Sequence, residues 1–88
     1  MPQSIAEKKE RFGRMFPNRV QTLIKTLQLL ANCTNKSNYA WNDDLVRRAW
    51  IEIALELVDT CAQYDMQLNI ELDGKNIALY DTSKPLES

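Results

Sequence analysis

Leu68-Asn69-Ile70-Glu71-Leu72-Asp73-Gly74-Lys75-Asn76-Ile77-Ala78-Leu79-Tyr80 is the stretch that decides the fold. Leu68, Ile70 and Leu72 alternate with Asn69 and Glu71. After Asp73-Gly74, Ile77 and Leu79 alternate with Ala78 and Tyr80. Period-two alternation places one set of side chains on one face of a strand, and Asp-Gly suits the positive-φ turn of a two-residue hairpin. The stretch therefore predicts a β-hairpin with strands over about 66–72 and 75–81. A two-residue turn pairs Ile70 with Ile77 and Leu68 with Leu79, so the large aliphatics share a face. A three-residue loop would separate them, so register favours the tight turn or a four-residue one. A lone two-stranded ribbon is marginal in water, and its apolar face should lie on helices or join a sheet with another chain. Residues 82–88, which contain Pro85, read as a flexible tail.

Upstream of the hairpin, Asn42 is placed to cap a helix running from Asp43 to about Tyr64, with Asp43 and Asp44 favourable at the positive end of its dipole. Val46, Trp50, Ile53, Leu57, Cys61 and Tyr64 form one stripe. Leu45, Ala49, Ile51, Ala54, Leu55 and Val58 widen it beyond the roughly 100° that a single packing face needs. Such a helix must pack on more than one neighbour, and the second is either the C-terminal hairpin or another subunit. Arg47 and Arg48 stand one turn in, either as solvated partners of Asp43, Asp44 and Glu52 or as part of a binding face.

Residues 32–42 hold Asn32, Asn35, Asn38 and Asn42 with Thr34, Ser37, Tyr39 and Trp41. Asn and Ser satisfy nearby backbone groups through their side chains, so this is a loop. Its amides and aromatic faces suit a base, a small ring or a peptide backbone. The alternative is that Tyr39 and Trp41 fold back as a lid while the asparagines shape the turn.

Before the loop, Val20, Leu23, Ile24, Leu27, Leu30 and Ala31 recur at helical spacing over about 18–33, with Asn18 as cap and Gln21 in the reciprocal position. At the N-terminus, Ser4 and Glu7 form a capping-box pattern for a short helix over 4–14, which Gly13 ends and Pro17 keeps from resuming. Residues 1–16 thus read as a basic arm or short helix. The segment Arg11-Phe12-Gly13-Arg14-Met15-Phe16-Pro17 suits phosphate contact with ring stacking, or an arm whose apolar residues complete a small core. The expected fold is one small α+β domain over 1–88, mostly helical: an N-terminal arm, two antiparallel amphipathic helices and a C-terminal β-hairpin.

Charge is strongly divided. Residues 1–36 carry seven basic residues against Glu7 and Glu10, whereas residues 37–88 carry four basic and ten acidic ones. The overall charge of -1 hides a cationic front half that could meet nucleic acid, an acidic protein or its own acidic half. The composition, 44 % hydrophobic and 26 % charged, is that of an ordinary globular domain rather than a disordered chain. No apolar run is long enough for a membrane span, and charges occupy the N-terminus where a signal peptide needs an apolar core. The expected setting is cytoplasmic, with no membrane. Asn32-Cys33-Thr34 and Asn35-Lys36-Ser37 match the glycosylation pattern by chance there.

Little chemistry is on offer. There is no histidine, which removes the usual general base and imidazole metal sites, and Cys33 and Cys61 form neither a CxxC pair nor a disulfide framework. Gly13 and Gly74 open no phosphate loop. No catalytic residue, metal ligand or cofactor is expected. The sequence points to a small non-enzymatic regulatory or accessory protein that binds another protein and self-associates as a homo-oligomer. The alternative is a nucleic-acid-binding regulator using the basic N-terminal segment and the loop. Candidate binding residues are Arg11, Arg14, Arg19, Asn35, Asn38, Tyr39, Trp41, Arg47 and Arg48. Against the alternative, the isoelectric point is about 5.3, and an 11-residue connection exceeds the short turn of a helix-turn-helix.

Overall fold

The computed structural model of the chain describes residues 4–35, 37 and 39–81. Helix α1 spans Ile5–Asn32 and helix α2 spans Asp43–Ala62. Strands β1 (Glu71–Leu72) and β2 (Lys75–Asn76) form an antiparallel hairpin, followed by a 3₁₀ turn at Ile77–Leu79. The architecture is α+β and mostly helical. The chain divides into two compact units, Met1–Ala40 and Trp41–Ser88. Residues 82–88, expected as a flexible tail, lie outside the described residues.

The first unit is built on α1. Ser4 caps it as expected, its Oγ accepting from the Glu7 amide at 3.2 Å. The expected break does not occur: the helix passes through Gly13 and Pro17 without interruption, and Asn18 is an interior residue rather than a cap. Proline inside a helix costs about 3 kcal/mol because it lacks an N–H and crowds the carbonyl four residues back. Here that carbonyl belongs to Gly13, which is exposed and has open space where a Cβ would stand, so water can reach it. A helix from Ile5 that ended at Phe16 would also sit at the lower limit of about 12–15 residues at which isolated helices persist in water. Phe12 and Phe16 add a stacked pair across the same step, their ring centroids 4.8 Å apart. Replacing Pro17 with Ala should restore the missing bond and stabilise the helix by about 3 kcal/mol, read as a rise in the urea midpoint of the helical circular dichroism signal.

The second unit is α2 and the hairpin. Asn42 caps α2, its Oδ1 accepting from the amides of Asp44 (2.9 Å) and Leu45 (3.2 Å). The helix ends at Ala62, two residues before the expected Tyr64, and Asp65 in the turn that follows takes φ of 60°. The turn is the expected tight one. Asp73 and Gly74 take φ of 53° and 80°, pairing Leu72 with Lys75 and Glu71 with Asn76. The Ile77 amide then donates to the Ile70 carbonyl at 2.9 Å, which keeps the expected Ile70–Ile77 register.

Beyond that point the expected strands, 66–72 and 75–81, are corrected to two residues each. The Asn76 side chain accepts from the Ala78 amide at 2.9 Å and starts the 3₁₀ turn, so Leu68 and Leu79 do not pair. Ile77 is only 2 % exposed whereas Leu79 is 68 % exposed. Ile51, Ala54 and Ile77 are the buried core among the described residues, with Leu55, Val58, Ile70, Leu72 and Tyr80 packed around them. The hairpin therefore covers one face of α2. Tyr80 clasps it: its hydroxyl donates to the Leu72 carbonyl at 2.5 Å and its ring lies 4.7 Å from the Lys75 ammonium. Tyr80→Phe should cost about 1 kcal/mol through loss of that hydrogen bond, measured by urea unfolding.

Candidate interaction surfaces

Because α1 is continuous, its side chains share one helical frame. At about 100° per residue, Phe12, Phe16, Val20, Leu23, Leu27 and Leu30 fall within a sector of about 80°, which Ile24 and Ala31 widen to about 120°. Phe16, Val20, Leu23, Leu27 and Leu30 also alternate in steps of four and three, the spacing of a coiled-coil seam. No residue of α1 is buried. Phe12 is 53 % exposed and Leu23 49 % exposed, and Phe16, Ile24 and Leu30 are exposed as well. Sequence reasoning found the part of this stripe from Val20 onward. It missed the extension to Phe12 because Gly13 and Pro17 read as a stop.

α2 carries a second apolar face besides the one under the hairpin. Leu45, Trp50 and Leu57 are exposed there, with Val46, Ala49 and Ile53 half-buried beside them. Glu52, Glu56 and Asp59 border an open groove floored by Ile53 and Leu55. The breadth of the α2 stripe in the sequence is thus explained in part by the hairpin, and the rest is not covered within its own unit.

The sequence-derived candidates separate into groups. Arg11, Arg14 and Arg19 are exposed on α1, with Arg11 Nε donating to Met15 Sδ at 3.4 Å. Arg19 falls beside the apolar stripe, whereas Arg11 and Arg14 fall away from it. In the loop, Asn35 Oδ1 accepts from the Ser37 amide at 3.0 Å, and its carbonyl accepts from the Tyr39 amide at 3.0 Å. Trp41 Nε1 donates to Asp43 Oδ1 at 3.0 Å, fastening the ring to the start of α2. Asn35 and Asn42 therefore shape the backbone, while Tyr39 remains an exposed ring. Asn38 lies outside the described residues.

Arg47 pairs with Asp73, at the hairpin turn, rather than with the acids at the start of α2. The adjacent carboxylate holds the guanidinium above its ordinary pKa, so Arg47 stays charged at any working pH. Both side chains are about half exposed, and such pairs add little stability. They do fix the turn against α2, and Asp73 serves both the left-handed turn and the pair. A recess of about 160 Å³ lies beside them, lined by Asp43, Val46, Arg47, Trp50, Leu72 and Asp73. With two carboxylates around one guanidinium, it offers no net positive charge to an anion. Arg48 is half-buried.

Cys33 is exposed and Cys61 half-buried, and both are free thiols. Among the described residues no three Cys, Asp or Glu side chains gather into a set that could hold a metal ion. No described helix is long and apolar enough to cross a membrane. Neither the models of known protein families, nor the curated proteins, nor the solved structures contain a match to this chain.

Proposed function

We propose that this chain is a small non-enzymatic accessory or regulatory protein that works by protein–protein contact and self-associates through α1. One observation carries the reading: a 28-residue helix with a continuous apolar stripe buries none of its residues. Burial of apolar surface contributes about 25 cal/mol per Å², so a stripe containing two phenylalanines and several leucines has a strong drive to be covered. A second copy offers the same stripe at the same spacing, and seam-like steps of three and four are what helix pairing requires. The exposed face of α2, rimmed by Glu52, Glu56 and Asp59, then remains for a partner that is apolar with a basic border. Solution mass by light scattering tests the first step. The expected result is an oligomer that persists at high salt, since its drive is apolar. A monomer at all concentrations would sink the proposal.

A further inference from the structure

Opposite its apolar stripe, α1 carries a second surface. Arg11, Arg14, Asn18, Gln21 and Lys25 fall within a sector of about 80°, centred about 180° from the Phe12–Leu30 sector. All five are exposed. From Arg11 to Lys25 the face runs about 21 Å along the axis at 1.5 Å per residue. Glu7 and Glu10 bound it at its N-terminal end, and residues 11–42 contain no acidic residue at all. No cation of α1 is held in an ion pair among the described residues. The side-chain amides of Asn18 and Gln21 likewise have no partner among them.

We infer that this face docks on duplex DNA with α1 lying in the major groove. Three cations on one side of a rod match a row of phosphates, and the amides between them are the groups that meet base edges. The major groove of B-form DNA admits an α-helix, whereas the deep, narrow major groove of A-form RNA does not. The docking side is therefore the polar face of α1, and the Asn-rich loop, whose Asn35 and Trp41 are engaged in local structure, is not required. This surface is separate from the self-association stripe, so either assignment stands if the other fails.

Fluorescence anisotropy of a labelled mixed-sequence DNA duplex, titrated with the full chain at several salt concentrations, tests the inference. Three phosphate contacts give a slope of log K against log salt of about −2.7, or roughly a 40-fold loss of affinity between 50 and 200 mM. Arg11→Gln, Arg14→Gln and Lys25→Gln should each lower the slope by about 0.9, and the triple variant should lose binding. Glutamine is a good helix former at these exposed sites, so circular dichroism should show α1 intact. Arg19→Gln, on the other side of the helix, should leave the slope unchanged. No anisotropy change at the lowest salt overturns the inference. So does binding that survives the triple variant, and so does duplex RNA bound as tightly as duplex DNA.

Discussion

On the proposed association through α1, Leu23→Glu combined with Leu30→Glu should leave the protein monomeric with α1 still helical. The two leucines lie seven residues apart on the same face of α1, and both are exposed in the single chain. Neither supports the fold of its own unit, and glutamate is a good helix former, so little intramolecular stability is at stake. Between copies the account differs. Covering a leucine contributes about 1.5 kcal/mol or more, so a symmetric pair of stripes loses on the order of 6 kcal/mol from four leucines. That corresponds to a dissociation constant weaker by about four orders of magnitude. Sedimentation or light scattering reads the mass, and circular dichroism reads the helix. A double variant that keeps the parent mass would show that α1 is not the seam.

The second large effect is expected at Ile77. It is the most buried residue described, and it closes the small core against Ile51 and Ala54. Ile→Ala in a core typically costs 2–5 kcal/mol, of the order of the whole stability expected of a unit this small. Ile77→Ala should therefore lower the melting temperature by roughly 15 °C or more. Leu79, two residues further along the same alternating pattern, supplies the contrast. It is largely in water, so Leu79→Ala should change stability by no more than about 0.5 kcal/mol. Equal effects at the two sites would mean that the strand continues past Asn76 and that the 3₁₀ turn is wrong.

Those two residues also mark where the sequence stops being legible. Ser4, Asn42 and Asp73-Gly74 announce themselves because each satisfies or shapes backbone within three residues of itself, so local chemistry suffices to read them. Asn76 has the same capping ability, but the alternation of Ile77 and Leu79 masks it. Its side chain accepts the Ala78 amide and bends the chain before the second strand can extend. Gly13 and Pro17 fail in the opposite direction. Both are strong local stop signals, overruled because the orphaned carbonyl is open to water and the flanking sequence favours helix. Of the candidate site, the charge asymmetry was readable from composition. The opposed faces of α1 were readable from about Asn18 onward, but their extension back to Arg11 and Phe12 was not, because a helical frame assigns faces only once its continuity is known. Arg47's partner, 26 residues away, needed the hairpin to be folded against α2.

The unbroken passage through Pro17 makes α1 behave like a camshaft, on which two lobes keep a fixed phase. One residue inserted at this step would turn everything before it by about 100°. Phe12 and Phe16 would leave the line of Leu23 and Leu30, and Arg11 and Arg14 would leave the line of Lys25, in the same stroke. Eleven residues, about three full turns, would bring both lines back together. A one-residue shift in phase should therefore abolish both proposed contacts at once while leaving each unit folded.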